Sequence, residues 1–333
     1  MGRKSQVDNR LASPGERLAG GGAFCQRARP VMRIPSSCLL LLLASSAACH
    51  RDVPSLTLRP AARPGVRPLF QPPEDMLLTE TVRSSLRREG APGSEEAEMT
   101  TASRFTSEEG TWRLSQRVTR SRYLQDGQPV TSLVGTLLER VVSRVRLAAD
   151  GTFVQLEAPG SARETLRELA PRGLDVSGLE RFFSPEEWEA RTRREWAVTY
   201  GGVYGGTLEP GQRGHAVGGL SVGGREVTYL LERTFTGTRP TEFGEVMVFT
   251  LHCLAAPGDT SPGSAHEALR RAGQPEVTPG VECDGEQLLG VERFLPVRRG
   301  LTLRVSWDGD TWSWATHATL DSVRAPGEEE QRP

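Results

Sequence analysis

Few residues in this chain have types and spacings that could do chemistry. Gly219-Leu220-Ser221-Val222-Gly223 has the letters of G-x-S-x-G, in which a serine on a strained strand-to-helix turn becomes a nucleophile. That elbow needs a helix after the serine, whereas Gly224 and a strand pattern follow here. His215, His252, His266 and His317 lack H-x-H or H-x-x-x-H spacing, so a metal or acid–base centre would need tertiary convergence. Asp308-Gly309-Asp310 places two carboxylates at a turn, as a calcium loop does. It lacks the further ligand series and reads as a hairpin tip. Glu186, Glu187 and Glu189 fall in the first turns of an expected helix, where carboxylates favour the positive dipole end. Gly201-Gly202, Gly205-Gly206 and Gly218-Gly219 lack the strand, loop and helix order of a phosphate cradle. Trp307, Trp312 and Trp314 could stack on a sugar or lipid, yet they share a hairpin alternation that suits core packing. No metal site, cofactor motif or catalytic constellation follows from spacing, which leans away from an enzyme.

The elements that must position any site are mostly strands. In Leu301-Thr302-Leu303-Arg304-Val305-Ser306-Trp307 apolar residues alternate strictly, and the pattern resumes after Asp308-Gly309-Asp310 at Trp312, Trp314 and Leu320. Val227, Tyr229, Leu231 and Phe235 alternate after Gly223-Gly224, and Trp112, Leu114 and Val118 do so before Asp126-Gly127. Met247, Phe249, Leu251 and Cys253 share a strand with Val246 and Val248 on its other face, which predicts a strand buried on both sides. Asp150-Gly151 suits a tight hairpin. The run Leu133 to Val145 fits helix or strand, and its β-branched content favours strand.

Three helices are expected. At the clearest, Ser184 caps, Pro185 takes the first position, Glu187 completes a capping box and Phe183 staples onto Trp188, leaving Trp188 and Trp196 on one face. Ser161 with Glu164 opens a second that Pro171 stops, and Ser264 with Glu267 a third that ends at Gly273. This order predicts an α+β body, a mainly antiparallel curved β-sheet with about three short helices packed on it.

Met32-Arg33-Ile34 runs into Leu39-Leu40-Leu41-Leu42-Leu43-Ala44-Ser45-Ser46-Ala47-Ala48-Cys49, a basic start, an apolar run too short to span a bilayer, and small residues before a break. Ser46-Ala47-Ala48-Cys49 resembles the lipobox of bacterial lipoproteins, with Ser46 where that family usually carries Leu, Val or Ile. The resemblance implies that Cys49 is lipidated and becomes the N-terminus after cleavage; ordinary cleavage after Ala48, giving a soluble periplasmic protein, is the alternative. His50 in place of an aspartate implies the outer membrane by the enteric-type sorting rule. Residues 1–48 are thus a doubtful N-terminal extension plus signal peptide, with Met32 the better start. Residues 49–75, with Pro54, Pro60, Pro64, Pro68, Pro72 and Pro73, read as a proline-rich tether able to reach roughly 80 Å. Residues 76–323 form the body, with a soft stretch from Gly90 to Glu98 and two halves, splitting near residue 183, that could be a diverged repeat. Residues 324–333 read as a disordered tail.

After removal of residues 1–48 the chain has 34 basic and 40 acidic residues, a formal charge of −6 with arginines spread among acids, which excludes nucleic acid as a partner. No lysine follows Cys49, so lysine Schiff bases and lysine-bearing phosphate loops are excluded. Of five cysteines, Cys25 and Cys38 leave with the signal and Cys49 takes the lipid. Cys253 and Cys283 remain as a pair expected to form a disulfide in an oxidising envelope. The depletion of Lys, Asn and Ile, with one of each at Lys4, Asn9 and Ile34, matches a GC-rich genome. In organisation the whole resembles uncharacterised envelope lipoproteins of GC-rich, myxobacterial-type genomes. That implies a membrane-anchored, non-catalytic protein that binds an envelope protein or an apolar ligand. By analogy with periplasmic lipoprotein carriers, a groove between sheet and helices would use Trp188, Trp196 and the face bearing Val227, Tyr229 and Leu231. The rival is a secreted hydrolase assembled from His252 or His317, a carboxylate and Ser221.

Overall fold

Period-two alternation carries most of the chain into strands. The computed structural model describes residues 65–158, 160–170, 175–222, 225–254, 276–325, and Glu267 and Arg270. The elements in chain order are β1 (Leu77–Arg88), β2 (Glu95–Glu108), β3 (Thr111–Gln125), β4 (Gln128–Val130), α1 (Leu133–Arg140), β5 (Ser143–Leu147), β6 (Phe153–Glu157), α2 (Ser161–Leu169), α3 (Ser177–Phe182), α4 (Pro185–Tyr200), β7 (Arg213–Val222), β8 (Arg225–Thr241), β9 (Gly244–Leu254), β10 (Val281–Gly290), β11 (Pro296–Trp307) and β12 (Asp310–Arg324). The fold is mainly β. All strands join one antiparallel sheet ordered β6-β5-β3-β2-β1-β12-β11-β10-β9-β8-β7, with β4 on the end of β3.

The chain lays strands outward from β1 to the β6 edge, crosses to the opposite edge through α2, α3 and α4, and returns from β7 to β12. The two runs meet where β1 pairs with β12, from Leu77 opposite Arg324 to Arg88 opposite Trp312. Consecutive positive φ values at Glu109-Gly110, Asp126-Gly127 and Asp308-Gly309 make the two-residue hairpins whose twist suits paired strands. Asp308-Gly309 is therefore the hairpin tip that its sequence suggests.

Helix α4 packs against both edge strands, β6 and β7. Eleven strands at about 4.8 Å spacing would set the edges of a flat sheet roughly 48 Å apart, far wider than a helix about 10 Å across. The sheet therefore wraps around α4. Ser184 caps α4 as expected, its Oγ accepting from the Glu187 amide, and Phe183 meets Trp188 edge-on at 5.8 Å.

Several expectations change. Leu133–Arg140 is helix rather than strand, because Ser132 Oγ accepts from the Gly135 amide at 3.1 Å and the helix buries Val134 and Leu137. Of the β-branched residues that pointed to strand, Val134 and Thr136 lie within the helix, and Val141, Val142 and Val145 follow it. Ser161 is the first helical residue of α2 rather than its cap, its hydroxyl donating back to the Ala158 carbonyl at 3.2 Å. With α3 the described residues hold four helices, and the expected helix from Ser264 to Gly273 lies outside them apart from Glu267 and Arg270. The end of the expected tether is docked: Val66 exchanges backbone hydrogen bonds with Leu208, the Gln71 carbonyl accepts from the Phe294 amide, and Phe70 is buried. The soft stretch from Gly90 is a short turn into β2, pinned by Asp126 Oδ1, which accepts from the Ser94 amide. The expected signal segment, Cys49 and residues 326–333 lie outside the described part.

One core cluster joins Leu220, Val222, Val227, Tyr229, Leu231, Leu251, Leu303, Val305 and Trp314 across β7–β12. Strand β9 is buried on both faces, as its sequence suggests, with Val246 and Met247 fully enclosed. Cys253 and Cys283 are disulfide-bonded between β9 and β10, as expected.

Candidate functional site

Wrapping a sheet around one helix leaves space where the helix does not fill it. A cavity of about 220 Å³ opens between α4 and the inner face of the sheet's central strands. Its apolar wall is built by inward positions of successive strands, among them Leu78, Val82, Met99, Leu114 and Val145, facing Trp188 and Trp196 of α4. Phe105, Tyr200 and Phe294 also line it. Phe294, on the β10–β11 loop, lies 5.4 Å from the Phe105 ring, 5.0 Å from Tyr200 and 6.0 Å from Trp196.

Helix α4 is held on two sides. Towards β6, Arg193 donates to the Val154 carbonyl at 2.8 Å, and Trp196 Nε1 donates to the Gly151 carbonyl at 2.9 Å. At its C-terminus, buried Arg233 of β8 donates to the carbonyls of Thr199, Val198 and Gly201, while Gln287 of β10 donates to Thr199 O at 2.8 Å. Orphan helix carbonyls and a buried cation thus satisfy one another, and the charge suits the negative dipole end. Burial lowers the Arg233 pKa to about 10, which still leaves it charged at neutral pH.

Polar side chains interrupt the apolar wall. Glu80 lies in phase with Leu78 and Val82 on β1, Arg299 with Leu301 and Leu303 on β11, and Gln287 with Leu289 on β10. Glu195, seven residues after Trp188, puts a second carboxylate on the sheet-facing side of α4. All four line the cavity. Gln287 and Arg299 sit directly opposite each other in the β10–β11 register. Arg299 Nη1 donates to Thr199 Oγ1 at 2.8 Å, whereas Arg299 Nε and Gln287 Oε1 are buried without a hydrogen-bond partner.

Glu80 and Glu195 are half-buried and, among the described residues, make no hydrogen bond or ion pair. Burial raises Glu80 to about 7, with Arg299 opposing the rise and Asp321 and Glu195 adding to it. Glu195 is likewise raised to about 7 by burial against the pull of Arg299 and Arg191. Burial also pushes the Tyr200 phenol well above its ordinary value, with the Glu80 charge adding to the rise. The arrangement can hold an apolar chain along the wall and exchange protons with a polar group at the Arg299 end.

The structure divides the residues singled out by sequence. Trp188 and Trp196 face the cavity. Val227, Tyr229 and Leu231 do not; they pack in the core cluster beside Val222 and Leu303, because β8 lies near the sheet edge that α4 covers. The glutamates, Arg299 and Gln287 were missed, although one signal marks them: a charged or amide side chain at an inward position of an otherwise apolar alternation. Ser221 lies in β7 opposite Glu226, with strand β8 following rather than a helix. His252 pairs with Asp284 Oδ1 at 2.8 Å on the surface, and His215 with Glu232 at 3.1 Å. His317 is pulled below its ordinary value by burial, Arg298 and Arg83. No histidine lines the cavity, and His266 lies outside the described residues. Trp314 is core, while partly buried Trp307 and Trp312 stack at its margin, 6.4 Å apart. Among the described residues no three His, Cys, Asp or Glu side chains converge to hold a metal, and no helix is long and apolar enough to cross a membrane.

No protein-family model and no curated protein matches the chain. Among solved structures it is distantly similar to a Bacteroides fragilis protein provisionally described as exported, with a YmcC-like fold. That likeness has 10% identity and a TM-score of 0.24, over 78% of this chain and 99% of that one. A DUF1329 family protein from Desulfovibrio piger is 9% identical over 74% of this chain and 86% of that one, with a TM-score of 0.23. A Parabacteroides distasonis protein provisionally described as a lipoprotein is 8% identical over 78% and 99%, with a TM-score of 0.24. Likenesses this distant carry no argument about mechanism or ligand.

Proposed function

We propose that this chain is a membrane-anchored envelope lipoprotein, tethered to the outer membrane through a lipid on Cys49, whose body binds an apolar ligand without catalysing a reaction. The signal segment and lipobox support the address. The cavity beneath α4 carries the binding reading, because folded cores are otherwise packed to crystal-like density. A space of about 220 Å³ exceeds the roughly 150 Å³ of an apolar cavity that admits benzene and falls below the roughly 300–1,000 Å³ of drug-sized sites. One chain or ring fits it better than a two-chain lipid. The hydrolase alternative has no observation in its favour, since Ser221, His252 and His317 stand apart and outside the cavity.

The test uses the fluorescent apolar probe N-phenylnaphthylamine with the purified full-length protein. Thr101 lines the cavity on β2, and Thr101→Phe places a ring in it. The wild type should enhance probe fluorescence saturably, and Thr101→Phe should abolish the enhancement while keeping the native circular dichroism. Absence of probe binding, or binding untouched by the filled cavity, would overturn the reading. The anchor is tested separately: intact mass and detergent partitioning should show a lipid-bearing Cys49 N-terminus in the wild type and a protein left in the aqueous phase for Cys49→Ser.

A further inference from the structure

Two buried polar atoms without a partner belong to residues of the cavity wall. Arg299 Nε is a donor, Gln287 Oε1 an acceptor, and their residues are directly paired across β10 and β11. Gln287 is only 1% exposed, so its carbonyl has no route to bulk water except through the cavity that it lines. A buried polar atom without a partner costs on the order of 1–3 kcal/mol, and a group retained at that cost points to a ligand that supplies the partner. The required ligand group must accept from Arg299 and donate to Gln287.

We infer that this end of the cavity is a head-group site for a carboxylic acid, and that the ligand is a single-chain fatty acid whose carboxyl sits between Arg299 and Gln287 beside Glu80 and Glu195. The inference rests on the apolar-ligand reading and names its ligand class. A protonated carboxyl is both acceptor and donor, which an ester, an alkylammonium or a phosphate dianion is not. About 220 Å³ is room for on the order of seven water-sized atoms at about 30 Å³ each, which takes one chain in part and leaves the rest of it projecting from the open mouth. The charges also fit. Glu80 faces Arg299 from β11, Asp321 from β12, and Glu195 and Tyr200 from α4; Glu195 also faces Arg191, and Arg117 and Arg298 line the cavity. With the two glutamates protonated the lining is positive and receives an acid. With both ionised, two negative charges oppose it. Because burial holds both near 7, rising pH leaves two carboxylates beside the bound acid, and affinity falls as pH rises through that value.

The experiment titrates the purified full-length protein with decanoic acid, methyl decanoate and decylamine by displacement of N-phenylnaphthylamine, at pH 6 and pH 8.5. Decanoic acid should bind about tenfold or more tightly than its methyl ester at pH 6, and lose about tenfold by pH 8.5. Gln287→Leu should abolish the preference for acid over ester while keeping the native circular dichroism, since Thr199 O retains Arg233 as donor. Glu80→Gln should keep the acid bound at pH 8.5. Equal binding of acid and ester by the wild type would overturn the head-group site while leaving the cavity reading intact. Preference for decylamine would overturn it in favour of a cation site. Failure of the probe itself to bind would sink the cavity reading beneath it.

Discussion

Replacing Glu80 with glutamine should stabilise the protein in alkaline solution and do little in acid. In the folded state burial raises the Glu80 carboxyl from 4.5 to about 7, with Arg299 only partly compensating. An unfolded chain restores the ordinary value, so the folded state binds the proton more tightly. The contribution is fully present below about pH 4.5, where both states are protonated. It is lost as pH rises towards 7, and the cost is constant above that. A rise of this size corresponds to about 3 kcal/mol at about 1.4 kcal/mol for each tenfold change, and contact with cavity water reduces it to about 2–3 kcal/mol. Glutamine keeps the shape and removes the charge. Urea midpoints between pH 4 and pH 9 should therefore coincide for wild type and Glu80→Gln at the acid end, then diverge, with the variant about 2–3 kcal/mol more stable at pH 8.5. Parallel curves, or a variant that loses stability at high pH, would show that Glu80 is ionised and well paired, and the reasoning from burial would fail. The Glu195→Gln variant should show the same trend, and the double variant less than the sum, because each charge raises the cost of the other.

Opening the disulfide between Cys253 and Cys283, which closes a separation of 30 residues, should lower stability by about 3–4 kcal/mol. Urea unfolding of the Cys253→Ser/Cys283→Ser variant checks this, and an unchanged midpoint would count against it. Gly151 has φ +85°, and a Cβ there would run into the Phe70 ring while its carbonyl accepts from Trp196. Gly151→Ala should cost about 2–4 kcal/mol in the same assay, and a cost under about 0.5 kcal/mol would show that the loop relaxes freely.

Local features were legible because short-range physics sets them. Asp126-Gly127 and Asp308-Gly309 form tight hairpins because both positions adopt positive φ, and Ser184-Pro185 starts a helix because its capping groups lie within four residues. The run from Leu133 departs from its strand propensity, which spans residues 133–145, because the Ser132 cap and the Val134 and Leu137 contacts select helix for its first half. The tether boundary moved because Phe70 finds buried partners in Phe105 and Phe294, which sequence neighbours could not reveal.

The sequence by itself determined the strand and helix periods, the cysteine pair and the face shared by Trp188 and Trp196. Each depends on residues near one another or on a count. Tertiary structure alone decided the cavity and what lines it. Period two states that Glu80, Gln287 and Arg299 point inward, but not that β1, β10 and β11 lie close in one sheet, nor that α4 crosses their face. Those placements come from pairings between distant strands, above all β1 with β12, and from the wrap that brings both sheet edges to one helix. Loop-closure entropy and sheet twist act over the whole chain, so no local window of sequence contains them.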